Sequence, residues 1–197
     1  MPADFEKQEY WHTRFATETS FEWLVTSEVF MSILDPYLSR LSASSRILHI
    51  GFGTSGLQNL FRKRGFLDVT NVDFEPLAIQ RGMQLEKATF GDVKMKYVVA
   101  DATKLDMHEA FDVVIDKSTV DAIACGGDEA LLRMARGVRK CLTEGGFWIS
   151  LSFSSSRFDM EGLPLDVDVI AKVPTPKYHP NDPDVYHFCY LLRPKIG

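Results

Sequence analysis

The chain has few cysteines and no long apolar run, and each shortage excludes a class of protein. Cys125, Cys141 and Cys189 are odd in number and widely spaced, so neither a disulfide framework nor a metal site is predicted. No apolar run approaches the roughly 18 residues that a membrane helix needs. The first residues also lack the charged and then apolar segments of a signal peptide. We therefore expect a cytoplasmic protein that does not bind a membrane.

An excess of basic residues is also missing. Lysine and arginine number 22 against 27 aspartate and glutamate, which gives a net charge of −5. Because nucleic-acid binding needs a basic face, DNA and RNA are excluded as main partners. The negative charge weakly suits a cationic substrate, although ordinary solubility explains it as well. At 197 residues with 45% apolar and 25% charged residues, the composition is that of one globular domain of unspecified oligomeric state.

Residues 1–45 are predicted to form an N-terminal helical cap that is rich in aromatic side chains. Six of these fall within the first 23 residues: Phe5, Tyr10, Trp11, Phe15, Phe21 and Trp23. A helix is predicted over 5–17, and the capping-box spacing of Thr19 and Glu22 indicates a second helix start. Pro36 is expected to break or restart the helix that follows.

Residues 46–197 alternate strand-like and helix-like segments, which is typical of a parallel sheet with helices on both faces. Five such strands are predicted, over 46–50, 69–73, 96–100, 111–116 and 147–153. Asp128 is expected to cap the helix before the fifth strand. Two more strands, 167–173 and 186–193, have no helix pattern between them and should pair antiparallel. The predicted fold class is α/β: a doubly wound, mostly parallel seven-stranded sheet with an antiparallel terminal hairpin strand.

A glycine-rich loop follows the first predicted strand. Gly51, Gly53 and Gly56 form a Gly-x-Gly-x-x-Gly pattern, in which glycines allow a tight turn and close approach of a ligand to the backbone. Asp73 lies 22 positions after Gly51, at the end of the second strand, where a carboxylate accepts hydrogen bonds from ribose hydroxyls. The pattern indicates an adenosine-containing cofactor without separating NAD from S-adenosylmethionine.

Three further features favour S-adenosylmethionine. Asp101 directly follows the third strand, where its carboxylate can accept from an adenine amino group; a helix-capping aspartate is the alternative. The segment Leu142-Thr-Glu-Gly-Gly precedes the fifth strand, and the terminal hairpin adds one reversed strand. Together these features resemble the core of the class I S-adenosylmethionine-dependent methyltransferases, which have a Rossmann-like fold.

Four segments resemble one subgroup more closely, the small methyltransferases that include the elongation factor one-alpha lysine methyltransferases. They are Glu9-Tyr10-Trp11-x-x-Arg14-Phe15, Phe21-Glu22-Trp23, Asp116-Lys117-Ser118-Thr119-Val120-Asp121-Ala122 and Tyr186-His187-Phe188-x-Tyr190-Leu191. The resemblance covers roughly residues 9–153 and 186–193. The chain departs from the family at Phe52 and Thr54 of the glycine loop, where cysteine and asparagine are usual. It departs again at Ser118, where the family usually has glycine.

The resemblance implies which residues contact the cofactor. The family's contacts, together with the second glycine of the loop, fall on Trp11, Phe15, Trp23, Gly51, Gly53, Asp73, Phe74, Asp101, Ala102 and Lys117. The two tryptophans and Phe15 would cover the methionine end, since an aromatic face attracts the sulfonium cation; a helix packed as core is the alternative. Phe74 would stack on adenine, and Lys117 would act through its side chain or its backbone.

The acceptor side is less well specified. Asp116 and Asp121 are candidates for orienting the acceptor amine, and Tyr186 and His187 are candidates for a general base by position alone. The predicted activity is methylation of a protein lysine. The alternatives are a small-molecule N-, O- or S-methyltransferase, a non-catalytic cofactor- or protein-binding partner and an NAD oxidoreductase, because a fold does not fix the acceptor.

Overall fold

The computed structural model describes residues 4–107, 111–177 and 179–195. Its strands are β1 (Ile47–Ile50), β2 (Val69–Asp73), β3 (Lys96–Val99), β4 (Phe111–Lys117), β5 (Leu142–Ser152), β6 (Leu165–Pro174) and β7 (Tyr186–Pro194). The described strands form one sheet in the order β3-β2-β1-β4-β5-β7-β6. Strands β1 to β5 are parallel, whereas β7 runs antiparallel to both β5 and β6. The predicted doubly wound sheet with an antiparallel terminal hairpin is confirmed.

Helices cover both faces of this sheet. Those in the described part of the chain are α1 (Gln8–Thr17), α2 (Ser27–Leu38), α3 (Leu57–Lys63), α4 (Pro76–Phe90), α5 (Thr119–Ala124) and α6 (Asp128–Cys141). Successive side chains of a strand point to opposite faces, so Ile47 joins the core under α2 and α3 while Leu48 joins the core under α6. Helix α2 packs into the first of these two cores together with strand residues. The division of the chain at residue 45 stays a prediction.

The N-terminal part differs from the prediction at three points. The first helix begins at Gln8 and not at residue 5. No helix begins at Thr19; residues 18–26 are non-helical, and α2 is capped by Thr26, whose hydroxyl accepts from the backbone N–H of Val29 at 3.3 Å. The carboxylate of Glu22 is used elsewhere, as described below. Pro36 does not break α2, which continues to Leu38. The proline lies in the last turn, where the loss of one intrahelical hydrogen bond is offset by the burial of the surrounding apolar side chains.

The start of α6 and of β5 also differ from the prediction. Gly127, with φ of +91°, occupies the cap position, and Asp128 is the first helical residue, where its charge interacts favourably with the helix dipole. Strand β5 begins at Leu142 because this residue already pairs with Phe111 before a register shift. None of the helices in residues 4–107, 111–177 and 179–195 is long and apolar enough to cross a membrane.

Candidate active site

A cavity of about 620 Å³ lies at the carboxyl edge of the parallel strands. Its walls are the loops that follow β1 to β5, and residues of α1 and of the segment after it cover one side. Open α/β sheets bind ligands at this edge, and the volume is within the range of sites for small ligands. The fold therefore brings the predicted glycine loop and strand-end residues to one place.

The glycine loop is held by close contact with α5. Gly51 has φ of +62°, and a Cβ atom there would lie 2.2 Å from the Oγ1 atom of Thr119. That hydroxyl donates to the carbonyl oxygens of Ile50 and Gly51 at 3.0 and 3.2 Å. Gly53 is also left-handed, at φ of +55°. Only glycine satisfies both the backbone conformation and the approach at Gly51.

Asp73 connects the end of β2 to this loop. One carboxylate oxygen accepts from the backbone N–H of Gly53 at 2.9 Å, and the other accepts from the backbone N–H of Glu75 at 3.0 Å. Burial raises the pKa of Asp73 to about 6, although these backbone hydrogen bonds oppose the shift. Each oxygen has a second lone pair, so the carboxylate can also accept from hydroxyl groups of a ligand in the cavity.

Asp101 both caps the short 3-10 turn that follows β3 and lines the cavity. Its Oδ1 atom accepts from the N–H and the hydroxyl of Thr103 at 2.8 and 2.7 Å, and Oδ2 lies 3.1 Å from Nζ of Lys104. Partial burial opposes ionisation, but these contacts hold the pKa of Asp101 below its ordinary value. The neighbouring Ala102 is a second lining residue, and Phe74 lines the cavity after β2.

The predicted aromatic cover is both a packed cluster and a wall of the cavity. Trp11, Phe15 and Trp23 line the cavity, and the Trp11 ring lies 5.4 Å from Phe15 and 5.9 Å from Trp23 between centroids. The indole N–H of Trp11 donates to the Phe5 carbonyl at 2.6 Å. The guanidinium of Arg14 lies 4.6 Å from the Trp23 ring centroid. The cover is therefore held in place by contacts among its own side chains.

Lys117, at the end of β4, uses its side chain within the protein. Its ammonium forms an ion pair with Glu22 and donates to the carbonyl oxygens of Trp23 and Val25 at 3.2 and 3.0 Å. Desolvation lowers the pKa of Lys117, whereas the Glu22 charge opposes that shift. The side chain is therefore directed towards the N-terminal segment.

The two acidic candidates on the acceptor side lie in different surroundings. Asp116 is fully buried outside the cavity lining, where it accepts from the Trp148 indole at 2.8 Å and from the Val120 N–H at 3.2 Å. Burial raises its pKa to about 7. The structure therefore does not bring Asp116 to the acceptor, because its β4 position points into the core. Asp121 does line the cavity, but Arg157 pairs with it at 2.8 Å.

Comparison with known proteins identifies the family. A methyltransferase domain family matches residues 48–150, just over half of the chain. Methyltransferase srdJ of Neurospora crassa is 55% identical over 201 residues, covering 99% of this chain and 86% of that protein. The chain belongs to the methyltransferase domain family. It is a class I S-adenosylmethionine-dependent methyltransferase, which decides between the two cofactors that the glycine pattern left open.

More distant relatives carry more specific names. EEF1A lysine methyltransferase 4 of Mus musculus is 28% identical over 78% of this methyltransferase, which spans 64% of that protein. The eEF1A lysine and N-terminal methyltransferase homolog of Drosophila melanogaster is 28% identical over 76% of the chain, which spans only 22% of that relative.

Solved structures show the same fold. N-methyltransferase NodS from Bradyrhizobium japonicum WM9, in complex with S-adenosyl-l-homocysteine, superposes with a TM-score of 0.71 at 16% identity, covering 98% of this methyltransferase and all of NodS. Magnesium protoporphyrin IX methyltransferase from Synechocystis PCC 6803 superposes with a TM-score of 0.69 at 9% identity, covering 98% of each chain. At these identities the similarity concerns the fold alone.

The cavity of the methyltransferase fits S-adenosylmethionine. The carboxylates at the ends of two neighbouring strands suit a nucleoside: Asp73 is the last residue of β2, and Asp101 lies two residues after β3. The aromatic wall suits the sulfonium cation. All ten predicted cofactor residues line this cavity.

Sequence reasoning missed Arg157 and the conformation of Ser118. Arg157 follows β5 and neutralises Asp121 from 36 positions away, so only the fold brings the two together. Ser118 has φ of +67°, and its hydroxyl donates to Asp121 at 3.2 Å. The usual glycine at this position was the available signal, because glycine adopts positive φ without strain. Tyr186 and His187 do not lie among the described lining residues.

Proposed function

We propose that this methyltransferase methylates the side-chain amine of a lysine in a protein. The observation that carries the proposal is the mouth of the cavity, where the lining rings of Phe21 and Phe153 are 42% and 56% exposed. Exposed aromatic rings beside a site suit a docking protein surface, and their faces attract an alkylammonium group. The relatives named as eEF1A lysine methyltransferases support the same class of acceptor.

In this proposal the strand-end residues hold the cofactor, which supplies a methyl group already activated by its sulfonium. Asp73 would accept from the ribose hydroxyls and Asp101 from the adenine amino group, while Phe74 would stack on the adenine ring. Trp11 and Trp23 would cover the methionine end. The chain thereby fixes the methyl group and the acceptor relative to each other, which is its main contribution to the rate.

The acceptor lysine must lose a proton before it reacts. At an ordinary pKa near 10.4, deprotonation at pH 7 costs about 4–5 kcal/mol. A dry aromatic pocket lowers this cost because burial disfavours the charged amine. Asp121 supports the acceptor wall, since its carboxylate accepts from the Phe153 N–H at 3.1 Å and from Ser118 while Arg157 compensates its charge. We therefore assign Asp121 a positioning role.

The test is the intact mass of purified eEF1A after incubation with the methyltransferase and S-adenosylmethionine. We expect a mass increase of whole methyl groups, which peptide mapping places on lysine. Asp73→Asn should abolish most of the transfer, whereas Lys94→Met, an exposed lysine outside the cavity lining, should leave it unchanged. If radiolabelled methyl from the cofactor enters no protein of a whole-cell extract, the proposed acceptor class is wrong.

A small-molecule acceptor is the second candidate, and the pairing of Asp121 with Arg157 favours it. This wall of the cavity presents a compensated carboxylate, so it does not attract a cationic amine as a free carboxylate would. A neutral acceptor is compatible with such a wall. Radiolabel that appears in the small-molecule fraction of the extract, and not in protein, would support this candidate over the first.

A further inference from the structure

We propose that Lys117 and Glu22 form a positioning pair that holds the strap, defined as residues 18–26, in place as a wall of the cofactor cavity. In this proposal the ammonium of Lys117 acts through the strap and does not contact the cofactor. The inference concerns cofactor binding, so it holds for a protein acceptor and for a small-molecule acceptor alike.

The strap needs an external support. Its residues 19–25 are not part of a helix, and it supplies Phe21, Trp23 and Leu24 to the cavity lining. Leu24 has φ of +64°, a backbone conformation that is unfavourable for a branched side chain. Strained residues of this kind persist only where surrounding contacts impose the conformation.

Lys117 supplies such contacts on both sides of Leu24. An ammonium has three N–H donors, and the three partners of Lys117 all belong to the strap: the Glu22 carboxylate and the carbonyl oxygens of Trp23 and Val25. The lysine side chain is 5% exposed. With its donors used in this way, the ammonium has none left for a ligand.

Further hydrogen bonds tie the strap to the glycine loop and to α2. Glu18, the first residue of the strap, accepts from the Thr54 hydroxyl at 2.9 Å. Glu22 also accepts from the Ser27 hydroxyl at 2.6 Å. The strap therefore bridges the loops after β1 and β4, both of which line the cavity. Displacing it would move Trp23 and Leu24 away from the cofactor.

Removing one member of the pair should release the strap. Lys117→Met leaves the Glu22 carboxylate and two carbonyl groups without their donor, and Glu22→Gln leaves a buried ammonium without its counter-charge. We expect each change to raise the Kd for S-adenosylhomocysteine, measured by calorimetry, by about tenfold. The double variant should bind within about threefold of Lys117→Met, because partners of one contact do not act additively.

The position of the strap is measured separately from affinity. A Trp11→Phe background leaves Trp23 and Trp148 as the two tryptophans, and Trp148 is fully buried, so acrylamide quenching reports mainly on the strap. We expect quenching of the cofactor-free protein to rise in Lys117→Met and in Glu22→Gln. Lys94→Met, which removes an exposed lysine paired with Asp92, is the matched control and should leave both readouts unchanged.

Two results would overturn the proposal. If Glu22→Gln binds the ligand as the wild type does while Lys117→Met does not, Lys117 contacts the cofactor directly. If neither variant changes affinity or quenching, the pair does not hold the strap. Should Lys117→Met fail to fold, Glu22→Gln alone decides, because the Glu22 side chain is 28% exposed and its substitution retains the hydrogen-bonding shape.

Discussion

Cofactor affinity should fall in mildly acidic solution because of Asp73. Burial raises the pKa of this carboxyl from 3.8 to about 6 in the protein without ligand. Ribose hydroxyls donate to the ionised form and therefore bind it in preference. If only that form binds, lowering the pH to about one unit below the pKa raises Kd roughly tenfold, since about one carboxyl in ten is then ionised. Binding should also release a proton.

Calorimetry between pH 5 and 8, in buffers of different ionisation enthalpy, measures both the affinity and the proton release. Asp73→Asn removes the titrating group. The Kd of this variant should be higher than that of the wild type at pH 8 and should stay constant as the pH is lowered to 5. A wild-type Kd that does not change over this range would refute the reasoning, and so would an Asp73→Asn variant that keeps the wild-type profile.

Folding responds to the same group with the opposite sign. The pKa of Asp73 is higher in the folded than in the unfolded chain, so the folded protein takes up protons more readily. The stability contributed by this group is fully present below pH 3.8 and is lost as the pH rises through 6. Asp116, with a pKa of about 7, acts in the same direction without lining the cavity. The pH dependence of cofactor affinity should therefore report on Asp73 alone, whereas the pH dependence of stability should report on Asp73 and Asp116 together.

Two substitutions test the walls of the cavity. Gly51→Ala places a Cβ atom 2.2 Å from the Thr119 hydroxyl at positive φ, so it should lower the free energy of unfolding in urea by about 1–3 kcal/mol. The control is Gly56→Ala, whose Cβ meets nothing within 4 Å and which should have little effect. Equal losses of stability in the two variants would contradict the argument. Arg157→Met leaves the buried Asp121 carboxylate without its counter-charge and should lower the free energy of unfolding by about 3–5 kcal/mol. Adding Asp121→Asn should recover part of that stability. No recovery would show that the uncompensated charge is not the cause of the loss.

The strands, the doubly wound fold class and the antiparallel pairing of the last two strands could be predicted from sequence, because the patterns of the strands and of the segments that connect them indicate these features. Strand β2, for example, has the bounds that were predicted for it, Val69–Asp73. The start of α2 could not be predicted in the same way. Thr19 and Glu22 have the right spacing for a capping box, but Lys117 takes the Glu22 carboxylate from 95 positions away. A tertiary ion pair therefore overrides the local signal.

The same distinction applies to the cavity. Asp73 and Asp101 could be found because a residue directly after a parallel strand must lie at the carboxyl edge of the sheet. The surroundings of Asp116 and Asp121 could not, because only the fold brings Trp148 to the first carboxylate and Arg157 to the second. The position of a residue relative to the strands thus predicts whether it belongs to the site. Which partner compensates its charge is known only from the fold.

The two nucleoside-side carboxylates should contribute differently to the pH dependence. The pKa of Asp73 is raised by burial, whereas contacts with Thr103 and Lys104 hold that of Asp101 below its ordinary value. Asp101 therefore stays ionised across the range in which Asp73 titrates. Asp101→Asn should weaken cofactor binding by about 1–3 kcal/mol at every pH, with the wild-type midpoint and proton release retained. If Asp101→Asn instead abolishes the proton release, then Asp101 is the titrating group and the opposed surroundings of the two carboxylates do not explain the binding.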